Sequence, residues 1–357
     1  HSFEEVREIA NRIGYPVLVR PSYVIGGRAM EIVYSEEELR TYVETAVKVS
    51  KTHPILVDKY LSHAIEVDVD AVSDGQDVFI GGMLDHIEEA GVHSGDATMT
   101  LPPQTLSPEI IAKIVEITEK VARALRIKGL LNLQLAVKDG EVYMIEANPR
   151  ASRTVPFVSK AIGVPLAKVA TKVILGKSLK ELGLTGVASF NHVAVKASVF
   201  PFLKLPGVDS ILGPEMRSTG EVMGIDKDFA SAMYKALISA GMKLPSEGGV
   251  YITVNDADKP EILDVARQLS RMGFHIYATR GTSTYLREHG LQTTTAYTIS
   301  QKMDPDALGL MRRGKINLII NTPTNSSGAR RDGYMMRRLA VELEIPFLTT
   351  VQAARAT

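Results

Sequence analysis

Gly140-Glu141-Val142-Tyr143-Met144-Ile145-Glu146-Ala147-Asn148-Pro149-Arg150 is the stretch that decides the fold. It reads as a strand, so Glu146 and Asn148 share a face. The run before it, Leu130 to Val137, alternates too: Asn132 and Gln134 fall on one parity, Leu131, Leu133, Leu135 and Val137 on the other. A three-residue loop, Lys138-Asp139-Gly140 with Gly140 left-handed, is expected to join them as a hairpin. That register sets Gln134 opposite Met144 and Glu146 at the diagonal. One face would then be apolar (Leu133, Leu135, Tyr143, Ile145). The other would gather Asn132, Gln134, Glu146, Asn148 and, just beyond, Arg150 and Arg153. Hard oxygen ligands beside two guanidinium groups suit Mg²⁺ held against phosphate oxygens. A solvated strand face is the bland alternative, and it has no need of amides and a carboxylate ending in Asn-Pro-Arg.

The chain has 357 residues, enough for two or three full cores. Lys plus Arg (41) balance Asp plus Glu (41), so no global field draws it to nucleic acid or an anionic membrane. The absence of cysteine excludes disulfides, thiolate catalysis and Cys-based zinc sites. It fits a reducing, cytoplasmic setting. No apolar run approaches a membrane span, and the first residues do not read as a signal peptide. The chain opens directly inside a helix–strand unit, as a piece cut from something longer would.

Working outward, a short helix from the Ser2-Phe3-Glu4-Glu5 capping box is expected to run to Gly14. Residues 15–34 alternate strand and glycine loop (Gly26, Gly27), and a helix follows from Ser35 to Ser50. Pro54–Leu61 reads as a buried strand, and Glu66–Val72 and Val78–Gly82 as two more. Residues 85–103 read as an irregular polar loop. Pro108–Leu125 has the period of an amphipathic helix. Helices are expected near Val155–Ile162 and Leu166–Leu175. Near residue 200 the chain turns dense in Pro and Gly, as connectors are. From Gly248 short strand–helix units recur, which implies a mainly parallel sheet with helices on both faces.

Arg20-Pro21-Ser22-Tyr23, Gly26-Gly27-Arg28-Ala29-Met30, Gly91-Val92-His93-Ser94-Gly95-Asp96, Glu146 through Thr154 and Glu215 through Val222 occur in that order. Through them essentially the whole chain resembles the C-terminal part of the large subunit of carbamoyl phosphate synthetase. The resemblance implies α/β and α+β architecture: a partial ATP-grasp domain (1–198, its N-terminal subdomain missing), a connector (199–240) and a doubly wound parallel-sheet domain of the methylglyoxal-synthase-like, allosteric kind (241–357). It implies phosphorylation of carbamate by ATP to carbamoyl phosphate, for arginine and pyrimidine biosynthesis. The cofactors implied are ATP with Mg²⁺ or Mn²⁺. The partners implied are a small glutaminase subunit and a nucleotide effector, UMP or IMP, with no nucleic acid and no membrane. Another ATP-grasp acyl-phosphate-forming ligase, or an effector-binding fragment without activity, are the alternatives.

The resemblance assigns roles residue by residue. Gln134, Glu146 and Asn148 are the metal residues. Arg150 and Arg153 are the catalytic stabilisers of the transferred group. Arg20 is a phosphate clamp; by itself it reads equally well as an exposed ion pair. Asp58, Lys59 and Leu61 match the segment that receives adenine. Glu66 accepts from ribose hydroxyls, although alone it is one acid among Glu66, Asp68 and Asp70 on what would be a solvated face. Gly91, Val92, His93 and Ser94 line the nucleotide, and Gln134 and Glu146 also touch it. His86 and His93 would each otherwise read as satisfied loop histidines. In the last domain Lys259, Thr279, Thr282 and Asn321 are the effector candidates; helix capping and turn chemistry would explain them from sequence alone. Two departures stand out. Ala197 occupies a position where some bacterial members carry a glutamate for the activator ornithine, although Glu88 and Asp96 are kept. A lysine that some members place near Thr298 is missing.

Overall fold

The structure is a computed structural model that describes residues 3–22, 29–49, 54–88, 90–204, 209–322 and 327–357. The expected glycine loop with Gly26 and Gly27, and residues 323–326 beyond Asn321, therefore lie outside the described residues. Contacts divide the chain into two compact units, residues 1–191 with 212–218, and residues 192–211 with 219–357.

The first unit begins with α1 (Phe3–Ile13), β1 (Val17–Pro21), β2 (Glu31–Val33), α2 (Glu36–Val49) and β3 (Ile55–Lys59). The strands form an antiparallel sheet in the order β2-β1-β3. Val17, Val19 and Val33 pack against Val6 and Ala10 of α1 and Leu39, Tyr42 and Val43 of α2. The expected buried strand at 54–61 is instead an edge strand. Asp58 and Lys59 are exposed, because only one face meets the small core.

A larger sheet follows, from β4 (Ile65–Asp74), β5 (Val78–His86), β6 (Met99–Leu101), β7 (Lys128–Lys138), β8 (Glu141–Asn148) and the short β9 (Gly186–Val187). Its order is β6-β5-β4-β7-β8, with β9 parallel to β5. The helices of this part are α3 (Pro108–Ala124), α4 (Val155–Ile162) and α5 (Leu166–Ile174). α3 starts where the sequence says it should: the Ser107 side chain accepts from Ile110 N, and Pro108 stands at the first turn. Its Ile110, Ile114 and Ala122 cover the face formed by Val67, Val69, Leu131, Leu133 and Leu135. α4 and α5 press on β5 at its glycines. A Cβ at Gly82 would fall 3.0 Å from Val158, and one at Gly81 2.8 Å from Leu166. Residues 85–103 are less irregular than expected. Asp85 and His86 complete β5 and pair with Thr100 and Met99 of β6.

The β7–β8 hairpin differs in two ways from the expected one. Lys138 pairs with Glu141, so the loop is the two residues Asp139 and Gly140, at φ 52° and 77°. That is the turn whose twist matches the strands. A bulge at Ile145 then shifts the register, so Gln134 faces Glu146 directly and Leu135 faces Met144. The extra residue switches parity. Val142 and Ala147 pack on the core, whereas Tyr143 and Ile145, expected on the apolar face, are exposed.

The second unit starts with β10 (Val193–Val199) and β11 (Gly220–Asp226), an antiparallel pair covered by α6 (Phe229–Ser239). These elements occupy much of the stretch read as a connector. Then come β12 (Gly249–Thr253), α7 (Lys259–Arg271), β13 (His275–Ala278), α8 (Arg280–Glu288), β14 (Thr294–Thr295), α9 (Ala307–Arg312), β15 (Leu318–Asn321), α10 (Ser327–Glu342), β16 (Phe347–Leu348) and α11 (Val351–Ala356). The five strands are all parallel, in the order β14-β13-β12-β15-β16, as the strand–helix alternation predicts. Tyr251 and Ile319 sit in its core beside Leu308, Met311, Met336 and Ala340 of α9 and α10. Among the described residues no helix is long and apolar enough to cross a membrane.

Candidate functional site

In the larger sheet of the first unit, one face carries almost all the polar residues. On β4 they are Glu66, Asp68 and Asp70. Register places Asp68 opposite Gln134 and Asp70 opposite Asn132 on β7. Asn132 in turn faces Asn148, and Gln134 faces Glu146, on β8. Directly opposed residues on one face of an antiparallel pair hold their Cβ atoms about 5 Å apart. The amide and the carboxylate therefore meet more closely than the diagonal placement expected from sequence. Glu146 is exposed and Gln134 half-buried, so neither lies under apolar neighbours.

The side chains are linked. Asn148 Nδ2 donates to Glu146 Oε1 at 2.7 Å and to Asn132 Oδ1 at 3.4 Å. Arg150 Nη2 donates to Asn148 Oδ1 at 3.2 Å. Gln134 spends its Nε2 on Ser94 Oγ at 3.1 Å, which ties the sheet to the 91–96 loop and keeps the amide oxygen for another donor or a cation. Among the described residues there is no cluster of three or more His, Cys, Asp or Glu side chains that would hold a metal unaided. One carboxylate with two amide oxygens fits Mg²⁺ instead as a partial shell, completed by phosphate oxygens and water. Arg150 and Arg153 are both exposed on the turn that follows.

The acids on β4 are not on a solvated face. Asp68 is 2% and Asp70 0% exposed. His86, the last residue of β5 and not a loop residue, stands between the acids. Its Nε2 lies 2.7 Å from Asp68 Oδ2 and its Nδ1 3.4 Å from Glu66 Oε2. Burial alone would drive the imidazole toward neutrality, yet Asp68, with Glu66 and Glu88, reverses this and raises its pKa. Burial raises Glu66, although His86 and the Gly91 N–H oppose it. Burial also pushes Asp70 up to about 6, against the hydroxyls of Ser152 and Thr154.

Glu66 Oε1 accepts from Gly91 N at 2.9 Å, and Tyr60 Oη donates to Ala90 O at 2.5 Å, so both hold the start of the 91–96 loop. The protein thus already engages the carboxylate expected to receive ribose hydroxyls. Gly91 has φ 100°, a conformation that a side chain would strain. Val92 and Ser94 are half-buried with it. His93 N donates to Gly213 O at 2.8 Å and its Nδ1 accepts from Gly95 N at 3.0 Å; burial lowers its pKa and keeps it neutral near pH 7. Asp96 receives the backbone N–H groups of Arg217 and Ser218 at 2.8 and 2.9 Å. Glu88 receives Thr98 N and Oγ1 at 2.6 and 2.8 Å. Both retained acids of the activator pattern are therefore engaged within this unit. Arg20 makes an exposed ion pair with Asp58 at 3.3 Å, and Lys59 and Leu61 follow on the same edge.

In the second unit the effector candidates cluster at the C-terminal ends of adjacent parallel strands. Thr279 follows β13 and donates to Thr282 Oγ1 at 3.2 Å. A Cβ at Gly281 would lie 3.3 Å from Lys259 Nζ, so the ammonium sits over the start of α8, where it also pairs with Asp256 at 2.7 Å. Asn321 ends β15 but is engaged at both ends of its amide. Nδ2 donates to Thr253 O at 3.2 Å, and Oδ1 accepts from Arg337 Nη1 at 2.8 Å. The geometry brings Lys259, Thr279 and Thr282 together and gives Asn321 a structural task.

Asp70, His86, Ser152 and Thr154 are the members of the site that sequence reasoning did not select. The i, i+2, i+4 acids on an otherwise Val-rich strand were the available signal.

Fold and site together define an ATP-grasp protein. The sequence profile of the carbamoyl-phosphate synthase L chain ATP-binding domain matches residues 1–182, and that of the MGS-like domain matches residues 261–349. The chain belongs to the carbamoyl phosphate synthase large-chain family. It is 58% identical to the C-terminal section of the large chain from Methanocaldococcus jannaschii, over 99% of this chain and 59% of that one. It is 56% identical to the large chain of Methanoregula boonei, over 100% and 34%, and 54% identical to one from Methanosarcina barkeri, over 99% and 89%. The chain thus spans from about a third to most of the length of the curated relatives it matches. Among solved structures it is similar to the biotin carboxylase domain of Hydrogenobacter thermophilus 2-oxoglutarate carboxylase, solved with MgADP, ADP and bicarbonate. The TM-score is 0.52 at 20% identity, over 67% of this chain and 60% of that one. The biotin carboxylase of Campylobacter jejuni gives 0.52 at 17%, over 66% and 60%. At these identities the likeness concerns the fold.

Proposed function

We propose that the first unit binds ATP with a divalent cation, Mg²⁺ or Mn²⁺, and phosphorylates carbamate to carbamoyl phosphate. The chain would do so as part of a large chain that works with a glutaminase subunit. The observation that carries the reading is the direct pairing of Gln134 with Glu146, on one open face with Asn148 and Arg150. In this reading Gln134, Glu146 and Asn148 hold the cation, which would neutralise charge on the phosphate tail. Arg150 and Arg153 orient and stabilise the transferred phosphoryl group through directed N–H bonds. A carbamate oxygen attacks the γ-phosphorus and ADP leaves, so no side chain needs to act as a nucleophile. Gly91, Val92, His93 and Ser94, with Arg20, Lys59, Leu61 and Glu66, bound the nucleotide. Neutral His93 adds no charge there. Residues 1–198 would carry this chemistry. Residues 241–357 would bind a phosphorylated nucleotide such as UMP or IMP at Lys259, Thr279 and Thr282, with Asn321 shaping the pocket through Arg337.

The test is the reverse reaction. ADP, Mg²⁺ and carbamoyl phosphate given to a complete large chain containing these residues should yield ATP, and Glu146→Gln in it should lower kcat on the order of 10²-fold or more. A complete wild-type large chain that yields no ATP, or a Glu146→Gln one as active as wild type, would remove the proposal.

A further inference from the structure

Asp70 lies in the middle of β4 and is 0% exposed. No cation among the described residues pairs with it. Its Oδ1 receives Ser152 Oγ at 2.6 Å and Asn132 Nδ2 at 3.1 Å, and its Oδ2 receives Thr154 Oγ1 at 2.5 Å. Ser152 and Thr154 flank Arg153. The Ser152 hydroxyl also accepts from Val155 N at 3.2 Å, so the same bond fixes the entry into α4. At the other end of the turn, Asn132 accepts from Asn148 Nδ2 at 3.4 Å, and Asn148 accepts from Arg150. One buried carboxylate therefore grips the 148–154 segment directly at its far end and through Asn132 at its near end. Both exposed arginines hang between these two anchors. A buried charge with no counter-ion is costly to keep, and packing alone would be served as well by an apolar side chain.

We propose that Asp70 is the positioning residue of the arginine turn: it sets where Arg150 and Arg153 present their guanidinium groups, without itself touching substrate. The proposal rests on the phosphoryl-transfer reading for its chemistry, but the anchoring can be judged without it. The measurement is made on the complete large chain carrying Asp70→Asn, and independently on Ser152→Ala/Thr154→Val. Amide hydrogen exchange of residues 150–154 is followed beside ATP formation from ADP and carbamoyl phosphate. Expected are faster exchange confined to that turn and an unchanged or raised Tm for Asp70→Asn at pH 8. A kcat lowered on the order of 10²-fold, as roughly 1 Å of misplacement can produce, should accompany a KM for ADP within about 2-fold of wild type. A purely structural carboxylate would instead lower Tm and shift kcat and KM together, and that outcome overturns the proposal. So does unaltered exchange with wild-type kcat. If the complete wild-type large chain forms no ATP, the phosphoryl-transfer reading falls, and exchange at 150–154 still decides whether Asp70 anchors the turn.

Discussion

Removing the Asp209 carboxylate should destabilise the second unit well beyond a surface substitution. Arg337, on α10, is 3% exposed. Its Nε and Nη2 donate to the two Asp209 oxygens at 2.8 and 2.7 Å, and its Nη1 donates to Asn321. Burial alone would raise the pKa of Asp209, but hydrogen bonds from Arg337 and its charge more than reverse this and hold the acid below 3.8. Breaking such a pair leaves a guanidinium buried without its counter-charge, a cost of about 3–5 kcal/mol. The Asp209 side chain is 30% exposed, so water can partly resolvate the vacated site, which argues for the lower end of that range. At about 2–4 °C per kcal/mol for a unit of this size, Asp209→Ala should lower the melting temperature by roughly 6–12 °C. Arg337→Met should cost less, about 1–2 kcal/mol, since it frees Asp209 to solvent and deprives only Asn321 of a donor. The double variant should be little worse than Arg337→Met alone, because no buried charge remains. Calorimetry and urea titration of the four proteins would close the cycle. The sign with pH follows from the lowered acid: the pair's contribution is present above pH 3.8 and is lost as pH falls through the folded value. The gap between wild type and Asp209→Ala should therefore narrow in acid. Strictly additive single costs, or an Asp209→Ala effect within about 0.5 kcal/mol, would refute the reasoning.

Three other expectations follow from the geometry. Asp70 titrates near 6 in the fold against 3.8 when unfolded, so its contribution is complete below 3.8 and is lost as pH rises through 6. Relative to Asp70→Asn, wild type should gain on the order of 2 kcal/mol between pH 7 and pH 4, and a constant difference in urea midpoints would contradict this. A Cβ at Gly224 of β11 would fall 2.0 Å from Ala232 O and 2.5 Å from Ala236 N of α6. Gly224→Ala should accordingly cost about 1–3 kcal/mol or more in thermal melts, whereas Gly220→Ala, with open space around it, should not. In the β7–β8 turn, Asp139→Gly should be neutral or stabilising, and Gly140→Val should destabilise by about 1–2 kcal/mol because φ is 77° there.

What could be read from the residues alone was whatever rests on local spacing. α3 was legible because a Ser-Pro start and a 3.6-residue period both act within a few residues. The polar face was legible because Asn132, Gln134, Glu146 and Asn148 share a parity across one hairpin. The same hairpin shows where spacing fails. A bulge at Ile145 inserts a residue that no composition signal marks. The turn, one residue shorter than expected, had already moved Tyr143 outward, and the bulge left Ile145 unpaired and brought Glu146 directly opposite Gln134. Parity beyond a bulge can be recovered only from a partner strand, and here the Gln134–Leu135 junction on β7 is that partner.

The acids of β4 show the complementary limit. Taken by itself, Glu66-Val67-Asp68-Val69-Asp70 is an alternating strand with a charged side, and charged sides ordinarily face water. What reverses the reading is a set of partners far along the chain. His86 reaches Asp68 across 18 residues, Asn132 reaches Asp70 across 62, and Ser152 and Thr154 reach it across 82 and 84. Each is unremarkable in its own segment: a strand-end histidine, an amide among leucines, two hydroxyls before a helix. Only when the sheet order β5-β4-β7 is known do they converge on two carboxylates that would otherwise be intolerable in the interior. That convergence also explains why the arginines are where they are. Residues 149–154 carry no regular structure between β8 and α4, and a free turn would scatter the two guanidinium groups. A site whose chemistry is mostly positioning needs that scatter removed. The buried acids, expensive by themselves, are the means by which the sheet holds the turn.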